Sequence, residues 1–170
     1  MGTKNSDLIA NFEATPSVKS SAALLSGVVR VAQGTVSLAT GDSDDNDIVM
    51  LAPIPSNAVV SQLFIGSDTL GGSCTFNVGI YTSAGVVKDE DVFASTVADE
   101  AAMTDLRFEA ADINTAGQQL WQLAGDSEDP GGYFYIAATM AAAGGTAGDM
   151  SFNIHYVINK QQQGQPSGCL

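Results

Sequence analysis

The sequence predicts an all-β protein, an antiparallel, jelly-roll-like β-sandwich of about eight short strands with at most one short helix. Three observations carry that expectation. Short β-branched and aromatic runs recur from Val28 onward, they are separated by Gly, Pro, Asp and Asn, and several of them alternate apolar and polar residues with period two. A sandwich buries the alternating faces of two such sheets against each other.

Residues 1–26 are rich in Ser, Ala, Asn and Thr and show no clear period. They read as an N-terminal arm, extended or wrapped on a neighbour, with Phe12, Val18 and Leu24 as anchors. The sandwich domain follows over residues 27–160. Val28 to Ala39 alternates as a strand, and Gly34 marks a bulge or kink. An acidic loop, Gly41–Asp47, precedes the apolar run Ile48–Leu51. Pro53, Pro55 and Asn57 are expected to turn the chain, because proline cannot donate to a central ladder.

Val59–Ile65 is the next strand, closed by Asp68 and Gly71-Gly72. Cys74, Phe76, Val78 and Ile80 then alternate with Thr75, Asn77, Gly79 and Tyr81, a strand with one face buried. After a turn at Ser83-Ala84-Gly85, Val86–Phe93 pairs back weakly, and Leu106 and Phe108 flank Arg107 in a short strand. Asp112–Ala124 is the helix candidate, capped by Asp112 or Thr115 and ended by Gly125, with Gly117 weakening it. Asp129-Pro130-Gly131-Gly132 is a turn. Phe134, Ile136, Ala138 and Met140 alternate after it, and Ala141–Gly148 is a small-residue loop. Met150, Phe152, Ile154, Tyr156 and Ile158 give the cleanest period-two pattern of the chain. Residues 161–170 form a polar, flexible tail.

Composition narrows the function. The 170 residues are 45% hydrophobic and only 15% charged, yet 19 acidic side chains face 6 basic ones, a net charge of −13. That imbalance repels phosphate backbones and anionic lipid, so neither nucleic acid nor membrane is an expected partner. Met1–Phe12 has no apolar h-region, and no run approaches the length of a membrane span. The N-terminal Met-Gly-Thr-Lys-Asn-Ser matches a myristoylation pattern through Gly2 and Ser6, without a polybasic second signal, and reads as an ordinary polar start. The two cysteines, Cys74 and Cys169, form no framework; Cys74 reads as a small buried hydrophobe and the spacing demands no disulfide.

Each chemical constellation falls short of a site. His155 is the single histidine, and neither a Gly-x-Ser-x-Gly elbow nor a set of histidines accompanies it. Asp42, Asp44 and Asn46 resemble the first half of a calcium loop, but Asp47 stands where glycine is needed and Pro53 where the closing Glu belongs. That loop reads as a solvated hairpin tip. Glu109, Asp112, Asp126, Glu128 and Asp129 could pair for glycoside hydrolysis, but in so acidic a chain such pairs arise readily, and the single tryptophan, Trp121, lies in the expected helix. No phosphate loop, CxxC pair or dinucleotide fingerprint is present. The chain is therefore expected to be no enzyme and to need no cofactor or metal.

Thr3-Lys4-Asn5-Ser6 with Leu8–Ala14, Arg30–Val36, Asp129–Tyr133 and Gly148–Phe152 resemble stretches of small virion structural proteins of marine tailed bacteriophages, similar in size and role to head decoration, or cement, proteins. The resemblance is scattered over residues 3–159. It implies a β-sandwich on the outer surface of a capsid, a homo-oligomer with a trimer favoured, whose partner is the major capsid protein. Leu8, Ile9 and Phe12 are then the expected capsid or partner contacts. A glycan- or surface-binding module, or a tail or connector component of a virion, is the alternative.

Overall fold

The computed structural model describes residues 6–19, 25, 27–99, 102–110 and 112–158. Eight antiparallel strands form two four-stranded sheets. In chain order they are β1 (Val29–Leu38), β2 (Ile48–Pro55), β3 (Ala58–Ser67), β4 (Thr75–Tyr81), β5 (Val87–Ala98), β6 (Thr104–Asp105), β7 (Tyr133–Ala142) and β8 (Gly148–Ile158). The first sheet has the order β1-β8-β3-β6 and the second β2-β7-β4-β5. Apart from the β4–β5 hairpin, every consecutive pair of strands crosses from one sheet to the other, which is jelly-roll connectivity.

Of the four central strands β8 alternates most cleanly, while β3, β4 and β7 are buried over runs of consecutive residues. Met150, Phe152 and Ile154 of β8 and Phe134, Ile136, Ala138 and Met140 of β7 all point into one core with Leu63, Ile65, Phe76, Val78, Ile80 and Phe93. Cys74 joins that core, 1% exposed with its Sγ 4.0 Å from the Met140 sulfur, as a small hydrophobe should. Its burial raises the thiol pKa, with Asp99 adding to the shift. Cys169 and the polar tail lie outside the described residues, as do Gly2 and Leu24.

Five local expectations are corrected. Gly34 is no bulge: β1 pairs with β8 in unbroken register, and a Cβ on Gly34 would meet the Phe152 ring at 3.0 Å. The glycine makes room for an aromatic ring crossing the strand. Pro53 and Pro55 lie within β2 and form no turn, which the edge position of β2 permits. Residues 112–124 form no continuous helix. Asp112 caps a 3-10 turn over Ile113–Thr115 by accepting from the Asn114 N–H, Gly117 then adopts φ 83°, and a four-residue helix α2 (Leu120–Leu123) follows. Leu106 and Phe108 lie beyond β6, which ends at Asp105. The arm contains a further helix, α1 (Asp7–Glu13), so the count of helices exceeds one.

β5 is longer and less regular than Val86–Phe93. Ile80 faces Asp89 while Val78 faces Ala94, so β5 spends five steps where β4 takes two. The extra residues arch over Gly79, whose missing side chain leaves space for the Asp89 and Glu90 backbone.

Candidate partner-binding surface

The predicted contact residues share α1. Ser6 caps this helix, its hydroxyl accepting from the Ile9 N–H at 3.5 Å. Leu8 and Phe12 stand four residues apart and Ile9 and Phe12 three apart, so the three apolar side chains lie close together on the helix surface. Leu8 is half-buried, whereas Ile9 is 46% and Phe12 79% exposed. Val18, Val28, Val29 and Val31 continue the exposed apolar series toward and into β1.

Most of the candidate carboxylates instead hold loops and strands in place. In the acidic loop, Asp42 accepts from the Ala39 N–H at 2.8 Å and Asp47 from the Asp44 N–H at 2.9 Å. Buried Ser43 ties this loop to Gly144 and Gly145. Glu109 accepts from the Ser95 N–H, Asp129 from the Ser56 hydroxyl and the Gly131 N–H, and Asp126 pairs with Lys88 at 2.8 Å. His155 Nδ1 sits 2.7 Å from Gln62 Oε1, edge-on to Phe64. Among the described residues, no three His, Cys, Asp or Glu side chains converge to hold a metal ion, and no helix is long and apolar enough to cross a membrane.

Sequence reasoning gave Arg107 no role, yet it is fully buried. Its Nε donates to the Val60 carbonyl at 2.8 Å and its Nη2 to the Thr115 carbonyl at 3.1 Å, while the guanidinium carbon lies 4.4 Å from the Phe108 ring centroid and 5.2 Å from that of Phe93. Burial lowers its pKa to about 10, partly opposed by Asp105. Tyr81 and Thr139 form a second buried polar pair through their hydroxyls, and burial raises the Tyr81 pKa.

The four sheet edges differ. β2 carries two prolines, β5 is bulged and β6 has two residues, all features that discourage strand addition. β1 has ten residues, no proline and no register shift. Beside it, on the open side between β1 and β2, runs a groove of about 430 Å³ lined by Val36, Leu38, Ile48, Met50, Asp42 and Asp47. Ile48 in that groove is 42% exposed.

The chain matches no protein-family model and no curated protein. Among solved structures it is similar to a chain of the capsid of Ralstonia phage GP4, at 21% identity and TM-score 0.48, covering 79% of this chain and 87% of that one. A chain of the cyanophage Pam1 capsid asymmetric unit is similar at 13% identity and TM-score 0.42, covering 78% and 86%. A chain of the acid-stable capsid of Helicobacter pylori bacteriophage KHP30 is similar at 14% identity and TM-score 0.38, covering 77% and 88%.

Proposed function

We propose that the chain is a virion structural protein, a decoration or cement protein on the outer surface of a phage head that stabilises contacts between major capsid protein subunits. It acts as a homo-oligomer, a trimer, and Leu8, Ile9 and Phe12 belong to its contact surface. The observation that supports this reading most is the contrast between site and arm: most of the candidate carboxylates hold loops and strands, while Ile9 and Phe12 of α1 stay exposed. Exposed apolar side chains in series mark a surface that another protein covers. The resemblance of residues 3–159 to small virion structural proteins supports the same reading. The acidic body suits an outer surface better than one facing packaged DNA.

The test is co-sedimentation of the full chain with capsids that lack it. Binding that raises the heat resistance of the capsids, and that Ile9→Glu with Phe12→Glu removes, is the expected result. A folded chain that stays in the supernatant at micromolar concentration would overturn the proposal.

A further inference from the structure

Charge is strongly segregated along the chain. Residues 31–158 hold seventeen acidic side chains and two basic ones, Lys88, which is paired with Asp126, and Arg107, which is buried. Between Glu13 and Asp42, by contrast, no acid occurs, and the cations are Lys19 and Arg30. β1 lies inside that stretch and carries one charged residue, Arg30, at its start. Acids gather at its other end. The loop holding Asp42, Asp44, Asp45 and Asp47 follows Leu38, and Ser37 stands opposite Asp149 of β8. Asp42 turns back on the strand end, its carboxylate accepting from the Ala39 N–H at 2.8 Å. The β1 edge is thus basic where it starts and acidic where it stops.

We infer that β1 of one copy pairs with β1 of a second copy, antiparallel across a two-fold axis, with Arg30 of each copy against Asp42 of the other. Among the described residues the backbone of β1 bonds to β8 alone, which leaves its outer row of N–H and C=O groups for a partner strand. The other three sheet edges are blocked by prolines, a bulge or their own brevity. Antiparallel pairing lays the basic start of one strand beside the acidic end of the other, twice by symmetry, whereas a parallel pairing would set acid against acid. The strand itself carries no acid, so no like charges stand opposite each other along the seam.

The pleat and the charges select the register. For the inward and outward faces to continue across the seam, paired residues must share a face, so the axis passes through a residue and not between two. Centred on Gly34, the pairing uses Arg30–Leu38 and sets Gln33 opposite Thr35, Val31 opposite Ser37 and Arg30 opposite Leu38. The guanidinium then reaches the carboxylate that Asp42 holds at Ala39. The opening of about 430 Å³ between β1 and β2, lined by Asp42 and Asp47, gives it room. Such a contact is isologous and closes at two copies. It makes no use of α1 and goes beyond the decoration reading, since it would join each trimer to its neighbours.

Cysteine pairs test the register in the full chain without capsids. The background carries Cys169→Ser, and Cys74 is buried. Gln33→Cys chains mixed with Thr35→Cys chains should form a covalent dimer on mild oxidation, because directly opposed Cα atoms stand about 4.5–5.5 Å apart, within the span of a disulfide. Each variant oxidised alone should give about tenfold less. Gln33, Thr35 and Arg30 are exposed, so folding should survive, which circular dichroism checks. Adding Arg30→Glu to both chains should lower the yield about tenfold, whereas Arg30→Lys should keep most of it. No covalent dimer in the mixture, equal yields from the single variants, or a yield that Arg30→Glu leaves unchanged would each overturn the inference. Capsid binding by a chain that does not cross-link overturns it while leaving the decoration reading intact. Cross-linking by a chain that ignores capsids does the reverse.

Discussion

Truncating Arg107 tests whether one buried cation fixes the segment between β6 and β7. Its guanidinium links Val60, at the β3 bulge, to Thr115 of the 3-10 turn, and lies against Phe93 and Phe108. Arg107→Ala leaves two carbonyls without their donor, at about 1–3 kcal/mol each, and loses two ring contacts worth about 0.5–1 kcal/mol each. Relief of the desolvation of the charge offsets part of this, so the net loss should be about 3–5 kcal/mol. Arg107→Lys keeps a charge but lacks the fork needed to reach both carbonyls, and should lose about half as much. Urea unfolding followed by the fluorescence of Trp121, which lies in the neighbouring helix α2, is the assay. The pKa gives a second check. A base whose folded pKa is lowered to about 10 makes stability rise as the pH climbs from there toward the unfolded value, and leaves it flat below about 10. The loss on Arg107→Ala should therefore be equal at pH 6 and pH 8. A loss under about 1 kcal/mol, or one that changes across that interval, would refute the account.

Other perturbations read other parts of the sandwich. Gly79→Ala places a methyl group against the Asp89 and Glu90 backbone, and should destabilise by about 1–3 kcal/mol through overpacking, measured by urea unfolding. Tyr81→Phe strands the buried Thr139 hydroxyl and should cost about 1–2 kcal/mol, whereas adding Thr139→Val should recover part of it; simple additivity in that cycle would argue against a direct pair. Burial, reinforced by Asp91, raises the pKa of Asp89, so the folded state holds its proton more tightly than the unfolded chain does. The ionised carboxylate therefore costs stability above its folded pKa. Asp89→Asn should melt higher than wild type at pH 7, and the gap should hold down to the folded pKa and close below it, between the folded and the unfolded value. A gap that widens on acidification would contradict this sign.

Legibility in the sequence followed the number of constraints on each strand. β7 and β8 are paired on both sides and turn large apolar side chains into the core at every second residue, so the period shows even though the small Ala137 and Thr139 on the other face of β7 are buried too. β5 is an edge strand with extra residues, and its insert interrupts the period that a one-dimensional reading needs. Pro53 reads as a turn residue because the rule against proline applies to central strands, and only the strand order reveals that β2 is an edge. α1 is a single seven-residue element, too short for apolar spacing to define a face. The apolar residues of the arm could be read directly. The groove could not, because Leu38 and Ile48 come together only through the sheet-to-sheet crossover between β1 and β2. Arg107 was hidden for the same reason, since its acceptors stand 47 residues before it and 8 after it.

The charge pattern finally fixes how any assembly should respond to salt, and two effects oppose each other. Pairing of exposed cations such as Lys19 and Arg30 with acidic side chains of a neighbouring copy would be a surface contact, worth at most about 1 kcal/mol and weakened by salt. Repulsion between sandwich bodies, each with seventeen acidic side chains and only Lys88 and buried Arg107 against them, acts over a Debye length of about 10 Å at 0.1 M salt and shrinks as salt rises. The second effect involves many more charges than the first, while burial of Ile9 and Phe12 is not screened by salt. Association should therefore tighten between 0.05 and 0.5 M salt, as read by sedimentation over a dilution series, with 0.05 and 0.5 M chosen to span roughly a threefold change in screening length. Weaker association at high salt would mean that the cations of the arm, and not its apolar side chains, hold the copies together.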